Sequence, residues 1–211
     1  MGGTLERYAI DDLMEWRYGN LCYYLTVVAL VITAVWALIL GEPQRAFWGF
    51  CAVGLAAIPA LLEWKDGWIF PWPAKFLIGL TLVIHMGGGI FHWYFNYYPI
   101  YDKIAHLVAS MAIAFLTFLF LLFLTYYSVV RMGRWTILII TIAVTLLFGF
   151  GWELGEYIID QNLFSTYFVT SYDSLMDTVF NLLGLGYIVL HANEYLKLES
   201  PERLFRRFVT W

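Results

Sequence analysis

Long apolar runs separated by short polar segments dominate the pattern along the chain. Six runs approach or exceed about 18 residues, the length at which a helix can cross a ~30 Å hydrocarbon layer while satisfying its own backbone hydrogen bonds. These predicted membrane helices extend over 20–41, 46–63, 76–95, 102–128, 135–159 and 173–195. Short alternating segments, the pattern of a membrane β-barrel, are absent from the sequence. The pattern therefore predicts an all-α polytopic membrane protein, a six-transmembrane-helix bundle.

The connections between these runs are short, and no internal repeat or low-complexity tract is visible. Such connections favour one compact domain. We expect an N-terminal cytoplasmic or interfacial segment over 1–19, the transmembrane domain over 20–195 and a basic cytoplasmic tail over 196–211.

Lysine and arginine are unevenly distributed between the two sets of connections. Most of the 12 basic residues lie in the N-terminal segment, in the second and fourth connections and in the tail, whereas Arg45 and Lys103 lie on the other side. Because cytoplasmic loops carry an excess of basic residues, this distribution predicts a multi-pass protein of the inner or plasma membrane with both termini cytoplasmic.

The composition agrees with a chain surrounded by lipid. Apolar residues make up 62% of the chain and charged residues only 13%, with a mean hydropathy of +0.71. Soluble domains carry roughly 25% charged residues. A formal net charge of -4 provides no basic surface for nucleic acid, so the expected partner is membrane lipid. Cys22 and Cys51 fall at different predicted depths, and we expect two free, buried cysteines.

Ionisable side chains within the predicted membrane helices gather near one end of the bundle, the end predicted to be external. They come from four helices, and several pairs are three or four residues apart, which places them on one helix face. The set consists of His92, Asp102, His106, Glu153, Glu156, Asp173 and Asp177. Lys103 is the one basic residue close to them in sequence. Such a surplus of carboxylates in a low dielectric must hold protons, recruit a cation or open to water.

A bound divalent metal ion is the solution that we expect. Carboxylate oxygens with one or two imidazoles suit Mg²⁺, Mn²⁺, Ca²⁺, Fe²⁺ or Zn²⁺, and facing helices of a bundle are a common place for such sites. The predicted ligands are the seven ionisable residues of the set above: His92, Asp102, His106, Glu153, Glu156, Asp173 and Asp177. Glu153, Glu156 and Asp177 are the candidate catalytic residues, with Glu156 as the general base, and Asn181 is placed to orient a carboxylate.

Simpler interpretations compete at some of these positions. Asp102 and Asp173 begin their helices, where a carboxylate can cap free N–H groups. His85 lies near mid-membrane, where we expect a hydrogen bond to backbone rather than to a metal. The glycines near the polar residues, such as those at 87–89, 149, 151, 155, 184 and 186, predict close helix approach.

Four blocks carry a family resemblance: HMGG from His85, YDKIAH from Tyr101, WELGE from Trp152 and YDSLMDTVFNLLG from Tyr172. Over about residues 80–190 the chain resembles bacterial inner-membrane proteins of the YjdF type, and the last three blocks are also similar to the broader VanZ-like proteins. The resemblance implies a small multi-pass membrane protein with polar residues at its outer face. VanZ-like proteins are associated with glycopeptide resistance, which implies a role in the cell envelope. The aromatic-rich FHWYFNYYPI before the second block departs from the YjdF pattern.

Three functions fit this sequence. The first is a metal-dependent hydrolase or transferase that acts on a lipid-linked headgroup reaching in from the outer leaflet. The alternative is a non-catalytic accessory or structural subunit that contacts other membrane-protein subunits, because 17 Phe, 15 Tyr and 10 Trp exceed what anchoring requires. Ion or proton transport ranks last, since no acidic residue of the inner half continues a path and no inverted repeat is evident.

Overall fold

The computed structural model describes residues 2–66, 70–159 and 171–209, with side chains described within 17–65, 70–158 and 172–209. This described part of the chain contains helices and no strand. The helices are α1 (Gly2–Ile39), α2 (Pro43–Asp66), α3 (Trp72–Ile90), α4 (Trp93–Asn96), α5 (Ile100–Tyr126), α6 (Arg134–Ile159), α7 (Ser171–Leu198) and α8 (Pro201–Val209). Six of them are long and apolar enough to cross a membrane, so the all-α, multi-pass prediction is confirmed.

The third membrane helix ends earlier than the sequence predicts. α3 stops at Ile90, five residues before the expected end at Phe95. His92 follows with a φ of 56°, a left-handed conformation that a continuous helix cannot contain. His85 therefore lies within α3 and His92 beyond its end, so the two histidines do not share one helix face.

The N-terminal helix is longer than the predicted membrane span. α1 is continuous from Gly2 to Ile39, and the portion that could cross a membrane begins at Arg17. The predicted cytoplasmic location of 1–19 and of 196–211 stays a prediction. Both cysteines are free as expected, but Cys22 is exposed, so its predicted burial was wrong.

The contacts divide the chain into two compact units, residues 1–93 with 208–211 and residues 94–207. In the first unit α1 packs against both α2 and α3. Leu30, Ala52 and Ala56 form part of its core. The small side chains of the two alanines let the helices approach closely in a setting where lipid provides no hydrophobic drive for association.

In the second unit α5 packs against both α6 and α7, and α6 packs against α7. Ala114, Leu185 and Ile188 form the core between them. α5 and α7 begin at the end of this unit where α6 terminates. Residues from the start of α5 and α7 and from the last turns of α6 therefore meet, and these are the turns that carry the predicted acidic residues.

Gly184 of α7 shows why these helices lie so close together. A Cβ atom at this position would overlap Oγ of Ser110 and the carbonyl oxygen of Leu107 on α5. The prediction of close approach therefore holds at Gly184. It fails at Gly89, Gly151, Gly155 and Gly186, where an added Cβ would meet no atom of the described residues within 4 Å.

Candidate metal centre

Three helices of the second unit position the cluster of ionisable side chains. The sequence YDKIAH places Asp102 and His106 one turn apart near the start of α5, and the same spacing separates Asp173 from Asp177 at the start of α7. Six of the seven predicted ligands meet there: Asp102, His106, Glu153, Glu156, Asp173 and Asp177. Metal binding by these residues stays a prediction.

The centre of the cluster is the ammonium group of Lys103. Nζ lies 2.5 Å from Oδ1 of Asp177, 2.6 Å from Oδ1 of Asp173 and 3.1 Å from Oδ2 of Asp102. The lysine is only 6% exposed, and its three N–H donors have three carboxylate partners. Lys103 thus supplies the positive charge that the three aspartates of the cluster share. The sequence indicated this residue by its place between Asp102 and His106, but its central role was missed.

The capping interpretation of Asp102 and Asp173 is incomplete. Both lie in the first turn of their helices, where negative charge interacts favourably with the helix dipole. Each carboxylate nevertheless bonds Lys103, and Asp173 Oδ1 also accepts a hydrogen bond of 3.0 Å from the Tyr98 hydroxyl. Asp173 therefore joins the start of α7 to Lys103 of α5, whereas Asp102 bonds the lysine within its own helix.

His106 lies between two sets of carboxylates. Its Nε2 is 3.5 Å from Oδ1 of Asp177 and 3.7 Å from Oδ1 of Asp102, and its Nδ1 is 3.7 Å from Oε1 of Glu153. These separations exceed ordinary hydrogen-bond lengths. Two ligands held about 2.1 Å from a tetrahedral zinc ion would be about 3.4 Å apart. The spacing around the imidazole is thus close to the spacing of metal ligands.

Two groups of three residues have ligand atoms that all lie within 4.8 Å of one another: Asp102, His106 and Asp177, and His106, Glu153 and Glu156. In the first group the aspartates already bond Lys103. A metal ion there would lie close to the ammonium charge. The second group has no bond to Lys103 among the described contacts, so it is the better candidate for a cation.

Glu153 has an incompletely satisfied carboxylate. Its Oε1 is buried and has no hydrogen-bond partner among the described residues. Glu156 differs, because its Oε1 accepts a hydrogen bond of 2.8 Å from Nε1 of Trp152, one turn earlier on α6. A buried carboxylate oxygen without a partner costs free energy, and a bound cation would remove that cost.

Two tyrosines beside the cluster were not predicted as part of it. Tyr98 bonds Asp173. Burial raises the pKa of the Tyr94 phenol above its ordinary range, and the nearby Asp102 carboxylate raises it further. Tyr94 therefore remains protonated at neutral pH and keeps its O–H as a donor. Both tyrosines lie just before the YDKIAH block in the sequence, and this position could have indicated that they lie beside the cluster.

The remaining predicted residues lie elsewhere or outside the described part. His92 belongs to the first unit, where its Nε2 is 3.3 Å from an Nη atom of Arg45, and its role as an outer ligand stays a prediction. His85 Nδ1 is 3.1 Å from the Thr81 carbonyl oxygen of its own helix, as expected for a histidine bonded to backbone. Asp160 lies outside the described residues.

The comparisons with known proteins place the chain in a family. A family model described as Predicted membrane protein (DUF2238) matches residues 22–196. The chain belongs to this family. It is the family of the YjdF type, so that resemblance is confirmed, whereas similarity to VanZ-like proteins stays a prediction. No curated protein and no solved structure matches the chain.

Proposed function

We propose that the second unit binds a divalent metal ion through His106, Glu153 and Glu156, and that the ion acts on the headgroup of a membrane lipid. The buried, unbonded Oε1 of Glu153, 3.7 Å from Nδ1 of His106, carries this proposal. An imidazole with two carboxylates is a donor set of Zn²⁺, Mn²⁺ and Fe²⁺, whereas Ca²⁺ and Mg²⁺ prefer oxygen ligands throughout.

The position of the cluster supports a lipid headgroup as the substrate. Asp102 and Asp173 lie within the first turns of helices that can cross a membrane, and the ends of such helices lie near headgroup depth. A metal ion there would polarise a phosphate oxygen or lower the pKa of a bound water. The carboxylate oxygen of Glu156 that does not bind the ion would accept the proton of that water. By the distribution of basic residues, the headgroup belongs to the outer leaflet.

Metal analysis of the purified full-length protein tests the first part of this proposal. The protein is extracted in mild detergent without chelator, dialysed against Zn²⁺ or Mn²⁺ and then against metal-free buffer, and its metal content is measured by mass spectrometry. We expect about one equivalent per chain, and at least roughly tenfold weaker binding after Glu153→Gln, because a carboxylate ligand becomes a neutral amide.

The matched control is His191→Gln. His191 lies on α7 away from the cluster, with its Nδ1 2.8 Å from the Tyr187 carbonyl oxygen. We expect this variant to retain the metal content of the unmodified protein. Absence of bound metal in the unmodified protein, or equal binding in Glu153→Gln, would exclude a metal centre at this position.

The Lys103 contacts favour a second candidate, a non-catalytic subunit of a larger membrane complex. A lysine that bonds acidic residues of α5 and α7 can stabilise helix packing without chemistry. This function predicts a metal-free protein that co-purifies in fixed stoichiometry with other membrane subunits. Purification of a monodisperse, metal-bound protein without other subunits would exclude this second function.

A further inference from the structure

The short C-terminal helix α8 has two faces of different chemistry. Leu204 and Phe205 are buried, whereas the side chains of Arg203, Arg206 and Arg207 are exposed. We call these three residues the arginine face. The apolar side of this short helix packs within the protein, so its basic side is the one that remains exposed.

Aromatic contacts hold α8 against the last turn of a membrane helix. The Phe205 ring lies 5.0 Å from the ring of Tyr126 and 5.9 Å from that of Phe123, both centroid to centroid, at the C-terminal end of α5. The Arg206 guanidinium lies over the Tyr126 ring at 5.9 Å. Since α5 can cross a membrane from Ile100 to Tyr126, these contacts place the arginine face near the depth at which that helix leaves the hydrocarbon.

Further basic residues of the second unit lie on the segments next to α8. Arg131 is exposed in the connection after α5, Arg134 begins α6, and Lys197 lies in the last turn of α7. The acidic residues on these segments are Glu194, paired with Lys197, Glu199, paired with Arg207, and Glu202. The basic residues therefore outnumber the acidic ones at this end of the unit.

We propose that the arginine face of α8 binds the headgroups of anionic phospholipids in the leaflet next to it. Basic side chains close to a membrane surface attract anionic lipids, and Phe205 holds the helix where its guanidinium groups can reach the phosphates. This site is separate from the candidate metal centre, which lies at the start of α5, so either proposal can fail without the other.

Lipid selectivity of the reconstituted full-length protein tests this proposal. Spin-labelled phosphatidylglycerol and phosphatidylcholine are compared, by electron spin resonance, for association with the protein in phosphatidylcholine vesicles. We expect a preference for phosphatidylglycerol that falls at least roughly fivefold in the variant Arg203→Gln/Arg206→Gln/Arg207→Gln, because each basic residue contributes to attraction of the anionic headgroup.

The matched control removes the same charge from the first unit, in the variant Arg17→Gln/Arg45→Gln/Lys65→Gln, in which Arg17 and Lys65 are exposed and Arg45 is partly exposed. We expect this variant to keep most of the preference. Equal loss in both variants would attribute the effect to net charge and overturn the proposal, as would the lack of any preference in the unmodified protein.

Salt provides a measurement that does not depend on the folding of a variant. Raising the salt from 0.1 M to 1 M shortens the Debye length from about 10 Å to about 3 Å. We expect the preference of the unmodified protein for phosphatidylglycerol to decrease strongly over this range. A preference that is insensitive to salt would contradict recognition by exposed arginines.

Discussion

The Lys103 side chain bonds three carboxylates from two helices, and it is almost fully buried. Two of these carboxylates, those of Asp173 and Asp177, are themselves buried. A buried charge is tolerated when its partners are present and becomes costly when one of them is removed. At the scale of single residues, the polar end of the second unit therefore depends on this lysine.

Replacing Lys103 by methionine should destabilise the protein. Methionine keeps the length of the side chain but leaves Asp173 and Asp177 without their cation, so we expect a loss of about 3–5 kcal/mol in the free energy of unfolding. The measurement is unfolding in mixed micelles of detergent and sodium dodecyl sulfate, followed by circular dichroism.

Lys197→Met provides the comparison, since Lys197 pairs with Glu194 at the surface with 45% of its side chain exposed. This substitution should cost no more than about 1 kcal/mol. If both variants unfold alike, the buried ion pairs do not stabilise the second unit.

Single residues also show how far the sequence could predict the site. The acidic residues and His106 were recognisable because charged groups inside membrane helices are rare and costly. The sequence did not show that the aspartates bond Lys103 and that the glutamates do not. Residue type gives no distance between side chains of different helices, and the distance from Nζ to each carboxylate decides which of them Lys103 bonds.

At the scale of elements, the crossing of α5 and α7 holds the second unit together. Gly184 lies against Ser110 and the Leu107 carbonyl of α5, whereas Gly186 on the same helix faces open space. The two glycines are two residues apart in one helix, so they have similar intrinsic effects on helix stability. They form a natural pair for measuring the contribution of close approach.

Gly184→Ala should separate the two helices and destabilise the protein by about 1–3 kcal/mol, because the added methyl group would overlap backbone as well as side-chain atoms of α5. Gly186→Ala should be neutral or slightly stabilising, since alanine favours helix more than glycine. Thermal unfolding of both variants in the same detergent provides the measurement. A loss in Gly186→Ala as large as in Gly184→Ala would show that helix packing is not the cause.

Helix ends were the least predictable feature of the elements. The apolar pattern continues past Ile90, so the sequence favoured a third helix ending at Phe95. The structure ends it at Ile90 because the backbone at His92 turns to a left-handed conformation. Hydrophobicity reports which segments fit lipid, and it does not report the backbone angles at which a helix stops.

At the scale of the whole molecule, the arrangement of basic residues predicts that both termini are cytoplasmic. This prediction can be checked by cysteine labelling in a background with Cys22→Ser and Cys51→Ser. We expect a cysteine at Glu42, in the turn after α1, to react with an impermeant maleimide in intact cells. A cysteine at Ser200, before α8, should react only after permeabilisation, and the reverse pattern would invert the topology.

The sequence by itself determined that this protein is an all-helical, multi-pass membrane protein, because the length and hydropathy of each apolar run are local properties of the chain. It also determined which side chains are too polar to face lipid. Only the tertiary structure decided that Lys103 bonds three aspartates, that Glu153 keeps a buried oxygen unbonded and that α8 packs on α5 through Phe205. These outcomes depend on distances of a few ångströms between helices far apart in sequence, and no local pattern contains them.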